Sequence, residues 1–420
     1  MDSLVKTKII RRQEMKKRTI AVFTGNRAEY GLQYPILRAI DRHPNLDYKL
    51  LVSGAHLDTS FGQTIAEIQK DGFHIDAEAK IEMDASSLFS TAQAIGSGVL
   101  AISKILAEMN PDIMIAYGDR FEAFAAVIAS SQMRIPTAHV EGGDLTEGGA
   151  LDDTVRHAMT KLAHIHFSTN AQATNRILAM GEEPWRVHTV GFSAIDLIAE
   201  GRYSLREEVQ DALKLDLTRP IIVVTQHSVA TEYDSAVAQF EPTLNALERL
   251  STEGVQVVIT YPNNDAGGRQ LIERILAFQE RNLPNVIVRR SLGRHLYHGL
   301  LALAKGSEDR VACIGNSSSG IKETPAFGCP TVNIGARQDR RLRGENVVDA
   351  SYDSKAIYEA VHRCLFDEAF RSLCREAKNP YWLGDAGPKI ADVLASVELG
   401  PRLIRKRMLL EGETRDGWFR

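Results

Sequence analysis

Short, largely apolar runs that end abruptly at glycine and charged residues constrain this chain more than any other feature. Residues 113–116 lead into Tyr117-Gly118-Asp119-Arg120-Phe121-Glu122, and residues 135–140 lead into Glu141-Gly142-Gly143-Asp144. An apolar run without alternation fits a strand covered on both faces, which is how parallel sheets are built. In open α/β sheets the ligand crevice lies beyond the carboxyl ends of the strands. Asp119, Arg120, His139 and Glu141 therefore collect at two neighbouring strand ends, where charges face a ligand more readily than in a lone surface ion pair.

The same rhythm of strand, loop and helix repeats along the chain. Strands are expected at residues 19–23, 48–52, 113–117, 137–140, 164–168 and 187–190, with amphipathic helices such as 34–42 and 92–109 between them. A second series follows at 221–225, 255–260, 286–288, 311–314 and 331–334, with helices at 235–250 and 268–279. The expected fold is α/β, with two Rossmann-like domains and a deep cleft between facing carboxyl ends. The expected division is a basic leader at 1–18, a first domain at 19–195 and a second at 196–365. Helices at 366–399 would pack back toward the first domain, ahead of a polar tail at 400–420.

Bulk properties exclude several classes. With 420 residues, 44% hydrophobic and 25% charged, the chain is an ordinary globular sequence of about two domains. A net charge of -4 argues against a general nucleic-acid binder, though the run of residues 337–343 is locally basic. No apolar stretch is expected to approach the length that spans a bilayer, and the first residues lack a signal-peptide core, so no membrane partner and a cytoplasmic location are expected. Cys313, Cys329, Cys364 and Cys374 show no metal-ligand spacing, so neither a metal nor another cofactor is expected; Cys313 and Cys329 read as buried thiols.

Several other strand ends carry candidate groups. Thr24-Gly25-Asn26-Arg27 opens a helix, where free N–H groups and the Arg27 fork suit an anion; it is not a GxGxxG turn. Asn316-Ser317-Ser318-Ser319 leaves a buried strand at another helix start and can offer hydroxyl and N–H donors to a diphosphate, with Glu323 one turn on, within reach of a ribose diol. His227 ends the first strand of the second series, as an acid/base or phosphate ligand. Asn263 and Arg337 occupy equivalent positions, whereas His164 and His166 read as core residues.

Six segments in order resemble the hydrolysing UDP-N-acetylglucosamine 2-epimerases of sialic-acid and related nonulosonic-acid biosynthesis. They are TGNRAEYG (24–31), YGDRFEAFAAVIAS (117–130), HVEGGDLTEGGALDDTVRHAMTKLAHIHF (139–167), YPNNDAGG (261–268), GNSSSGIKETPAFGCPTVNIGARQ (315–338) and NPYWLGDAGPKIADVL (379–394). The resemblance spans about residues 19–398 and implies a GT-B fold. It implies expulsion of UDP from C1 with loss of the C2 proton to give a 2-acetamidoglucal, then hydration that releases the manno sugar. In the matching motifs Asp119 and Glu141 stand as acid/base carboxylates, Asp152 as a third carboxylate near the sugar, and His227 at the diphosphate. Arg27, Arg120, Ser317, Ser318 and Arg337 would hold phosphates and Glu323 the ribose, while His139, Asn263 and Asn316 would complete substrate binding. A homodimer or homotetramer is the assembly the family implies.

Two departures stand out. The segment at 146–151 is longer by one residue than in animal members, and Gln226-His227-Ser228 replaces a common His-Pro. Both fall near the sugar or diphosphate, so UDP-2,4-diacetamido-2,4,6-trideoxyglucose stands beside UDP-GlcNAc as a substrate. The rival readings are a non-hydrolysing 2-epimerase, a GT-B glycosyltransferase and a silent nucleotide-sugar sensor; the intact set Asp119, Glu141 and His227 speaks against the last.

Overall fold

A computed structural model describes residues 17–57, 65–81, 88–146, 151–263 and 267–409. The first sheet contains β1 (Arg18–Thr24), β2 (Leu46–Ser53), β3 (Ala77–Ala79), β4 (Ile113–Tyr117), β5 (Thr137–Val140), β6 (Ile165–Ser168) and β7 (Val187–Thr189). The second contains β8 (Ile221–Thr225), β9 (Gln256–Thr260), β10 (Val286–Arg289), β11 (Val311–Gly315), β12 (Thr331–Ile334) and β13 (Val347–Ala350). Their orders are β3-β2-β1-β4-β5-β6-β7 and β10-β9-β8-β11-β12-β13, and every pairing is parallel. The fold is thus two parallel α/β domains. Strands β3 and β13 were not among those expected: β3 is three residues of Ala-Glu-Ala, and β13 carries Asp349 in a short edge run.

Each sheet reverses its direction of growth once, between β1 and β4 in the first and between β8 and β11 in the second. At such a switch point adjacent loops leave the sheet in opposite directions and open a crevice. Register then decides which residues border it. Tyr117 lies opposite Val140, so Asp119 and Glu141 emerge side by side; Gly315 lies opposite Thr225, so His227 emerges beside Asn316. Gly315 has φ of 126°, and a Cβ there would run into the Thr225 carbonyl, so no other residue fits.

Helices cover both faces of each sheet. The helix Arg27–Arg42 buries Ile36, Leu37 and Ile40 against one face of the first sheet, in one cluster with Ile390 and Leu394 of the helix Ala386–Ser396. Burial of side chains of this size stabilises by about 1.5–3 kcal/mol each. Asp196 fixes the entry of the Ala386–Ser396 helix by accepting the N–H groups of Ala386 (3.0 Å) and Gly387 (2.8 Å). The chain beyond residue 400 begins as a docked segment. Buried Arg186 donates to the carbonyls of Leu403 (2.7 Å) and Arg402 (2.9 Å), and Lys406 donates to that of Ala163 (2.6 Å).

The opposite face is covered by the helices Leu88–Met109 and Phe121–Gln132, which bury Ala94, Ile102, Leu106, Ala123 and Val127. Contrary to the expectation that no stretch is long and apolar enough, 21 residues of the first of these helices, Phe89–Met109, meet the length and composition of a membrane span. Gly96, Gly98 and several serines interrupt its apolar residues, so no continuous apolar run marks it in the sequence. The four cysteines are all buried and unpaired.

Candidate functional site

Asp119 and Glu141 sit where β4 and β5 end, and Arg156 of the helix Leu151–Leu162 lies between them. Its guanidinium ion-pairs with Asp119, approaches the Glu141 carboxylate at 4.0 Å, donates to the Glu141 carbonyl (3.2 Å) and to Thr146 Oγ1 (3.0 Å), and lies 4.0 Å from Asp153. Glu141 takes a left-handed φ of 66°, a conformation uncommon for a non-glycine residue, and this turns its side chain out of the strand direction. Burial, and then the charge of Glu141, push the Tyr117 phenol well above its usual range.

The second domain reaches into this cluster. Lys322, from the short helix Ser319–Lys322, pairs with Glu141 and lies 2.6 Å from Asp144. Arg341 stands 3.9 Å from Asp144 and donates to the Leu145 carbonyl and to Thr146 Oγ1 (2.8 Å). Burial would push Asp144 up. The Lys322 ammonium and the Arg341 and Arg156 guanidiniums outweigh it and hold Asp144 far below the usual carboxylate range.

On the other side of the cleft, Nδ1 of His227 accepts the Asn263 backbone N–H (3.0 Å), and burial followed by the charge of Arg337 lowers its pKa to about 3. A neutral ring whose Nδ1 accepts carries its proton on Nε2. Asn316 clamps the His227 backbone, accepting its N–H (2.7 Å) and donating to its carbonyl (2.9 Å), while the Asn316 carbonyl accepts from Arg337 (3.2 Å) and Gln338 (2.8 Å). Ser317 Oγ lies 3.1 Å from Ser319 Oγ, and Ser318 stands at the N-cap position of the short helix without a side-chain capping hydrogen bond. The Glu323 carboxylate is held by Nε2 of buried His298 at 2.8 Å.

The remaining expected residues fall as follows. Arg27 opens its helix, but its side chain lies outside the described residues, as do residues 147–150 of the longer segment. Arg120 is partly exposed, 3.9 Å from Glu122. Asp152 stands in the first turn of its helix, and it is the neighbouring Asp153 that is buried and accepts the Thr146 N–H (2.7 Å). His139, expected to touch substrate, is buried in the first domain with both nitrogens engaged, by the Gly118 carbonyl (2.7 Å) and Thr160 Oγ1 (3.0 Å). It lies within the strand, so it points to a sheet face, whereas Glu141, one residue past the end, borders the crevice. Arg156, Lys322, Arg341 and His298 were not anticipated as members of the site. The only sequence signals were the i, i+3 spacing of Asp153 and Arg156 and the basic run containing Arg341.

Buried neutral histidines give the protein a marked acid sensitivity. Burial above all lowers His56, His164 and His166 to about 4, and His139 and His227 to about 3. In the unfolded chain these rings take up protons below about pH 6.5. Their contribution to stability is therefore complete above that value and lost as pH falls toward 4, at roughly 1.4 kcal/mol per pH unit for each ring. Glu29, Glu122 and Asp196, raised chiefly by burial, work in the opposite sense, but they are three against these five. Urea unfolding should show stability falling by at least about 2 kcal/mol from pH 7 to pH 5. A flat profile would contradict the buried neutral state of these rings.

Two parallel sheets with switch-point crevices facing across a carboxylate-lined cleft define a protein of the GT-B class. The chain belongs to the UDP-N-acetylglucosamine 2-epimerase family, whose model matches residues 38–395. It is 31% identical over 389 residues to the UDP-N,N'-diacetylbacillosamine 2-epimerase (hydrolyzing) of Legionella pneumophila, covering 93% of this chain and 98% of that one. It is 30% identical over 346 residues to the UDP-N-acetylglucosamine 2-epimerase of Neisseria meningitidis, covering 82% of this chain and 86% of the relative. The fold is similar to the crystal structure of UDP-GlcNAc 2-epimerase from Neisseria meningitidis bound to UDP-GlcNAc, with a TM-score of 0.75 at 17% identity, over 90% of this chain and 99% of the other.

Proposed function

We propose that the protein is a hydrolysing 2-epimerase that converts UDP-GlcNAc to free ManNAc and UDP for nonulosonic-acid biosynthesis. The observation that carries this reading is the emergence of Asp119 and Glu141 side by side at β4 and β5, where Lys322, from the segment that follows β11 in the second domain, reaches Glu141. The C2 hydrogen of the sugar is not acidic, so cleavage of the C1–O bond has to run ahead of proton loss. UDP leaves with the bonding pair, a carboxylate takes the C2 proton, and a 2-acetamidoglucal remains. Water then adds its oxygen to C1 while a proton returns to C2 from the opposite face. Asp119 and Glu141 are the proton carriers in this reading, with Asp152 the third carboxylate.

The Nε2–H of neutral His227 is suited to donate to the departing diphosphate. Arg27, Arg120, Ser317, Ser318 and Arg337 serve the phosphates, and Glu323, oriented by His298, serves the ribose. A second reading, the same chemistry on the UDP-linked diacetamido-trideoxy sugar, is favoured by the likeness to the Legionella relative, matched over almost its whole length. Four buried thiols suit a reducing cytoplasm. We infer that a second copy of the chain covers the helix Leu88–Met109, whose Phe89 and Leu100 are 73% and 67% exposed. The functional test is the identity of the product from each sugar: release of the free 2-epimer supports the reading, and a UDP-linked epimer from both overturns it.

A further inference from the structure

Lys322 is only 2% exposed, yet it carries an ammonium across the domain boundary. It closes the short helix that begins at Ser319 and immediately precedes Glu323, so its backbone belongs to the nucleotide-facing loop of the second domain. Its Nζ meets two carboxylates of the first domain, Glu141 and Asp144. The stem is confined as well. Nζ lies 5.1 Å from the Phe192 ring and 5.4 Å from the Tyr381 ring, and Asn379 donates to the Lys322 carbonyl (2.8 Å).

Desolvating an ammonium and two carboxylates costs several kcal/mol per ion, and a packed apolar contact would often serve stability as well. Stability alone therefore gives little reason for this link. The charged groups around it include Glu141 and Asp144 from the loop after β5, Arg156 from its helix, Arg341 from the basic run after β12, and Arg176 of the helix Ala171–Ala179, which donates to the Gly143 carbonyl (2.8 Å). The guanidiniums come from other elements, leaving Lys322 as the cation that comes from the nucleotide loop itself.

We propose that Lys322 is a positioning residue that holds the Glu141 carboxylate in place across the cleft, tying the geometry of the proton carrier to the loop that faces the nucleotide. This rests on the functional reading above in taking Glu141 as a proton carrier. The link between the two loops can be tested without that assumption.

The experiment compares full-length wild type with Lys322→Met and Lys322→Arg, measuring UDP affinity by calorimetry, steady-state turnover by UDP release, and amide hydrogen exchange across residues 140–145. Misplacing a reacting group by about 1 Å costs on the order of 100-fold, so K322M is expected to lose about that factor in kcat. Its KM and UDP affinity should stay within about threefold of wild type, the split expected when the loss lies in the transition state and not in uniform binding. K322R should recover at least about tenfold of the lost kcat, since it restores a cation to the same pair. Exchange across 140–145 should quicken at least about tenfold in K322M and much less in K322R.

A K322M enzyme within about threefold of wild-type kcat, or a loss confined to KM, overturns the proposal. So does a K322R enzyme as impaired as K322M, or unchanged exchange in the loop. Lys322→Gln supplies the same comparison if K322M does not fold. Should wild type turn over neither sugar, the functional reading fails, and the exchange measurement still decides whether Lys322 holds the loop.

Discussion

Asp119→Asn and Glu141→Gln are each expected to lower kcat by about 10²–10⁴-fold, the usual contribution of a positioned proton carrier, and to leave UDP binding intact. The separation of effects follows from the architecture. Both carboxylates emerge from the first sheet, whereas Asn316, Ser317, Ser318 and Glu323 come from the loop after β11 in the second, where His298 and the Asn316 clamp on His227 are untouched by either change. The amides keep the size of the carboxylates but cannot carry the proton. Neither variant should disrupt the fold, because Arg156 retains Asp153 and one of the two site carboxylates, and Lys322 retains Asp144. Calorimetry with UDP alongside UDP-release kinetics checks this directly. Loss of UDP affinity at unchanged kcat would mean that these carboxylates bind nucleotide and do no proton transfer.

Arg156→Met is the change expected to damage stability most. The guanidinium is buried among the carboxylates of Asp119, Glu141 and Asp153 and also serves Thr146, so its removal takes a buried cation from three carboxylates, of which Glu141 still has Lys322. Removing one partner of a buried ionic cluster typically costs about 3–5 kcal/mol, well above the effect of breaking an exposed pair. Arg156→Lys keeps the charge but loses the fork that reaches two carboxylates and a carbonyl together, so it should fall between the two. Urea midpoints of the three proteins at pH 7 measure the difference. A Met variant as stable as wild type would show that Lys322 and Arg341 neutralise the cluster unaided.

The strands of the two sheets were legible because most are buried on both faces, so their apolar runs are continuous and their ends abrupt. The two that escaped, β3 and β13, are a three-residue edge strand and a four-residue edge strand carrying Asp349, too short and too polar to stand out. Asp119 and Glu141 could be found because position just past a strand end is a local property. The cation from the second domain could not, since Lys322 and Glu141 are 181 residues apart and meet only when the domains face each other. His139 shows how much one position matters. A residue inside the last turn of a strand looks like a strand-end residue in sequence, but the two-residue alternation sends its side chain under the neighbouring helix, where Thr160 meets it. Asn316, also expected at the substrate, has both ends of its side chain engaged in shaping the His227 loop.

Incubation with UDP-GlcNAc and with its diacetamido-trideoxy analogue in deuterated water, followed by NMR of the sugar products, tests the central claim most directly. The account predicts free sugar of the manno configuration from at least one of them, released with UDP and carrying deuterium at C2. A UDP-linked epimer, a free sugar with its C2 hydrogen retained, or no turnover of either substrate would contradict it.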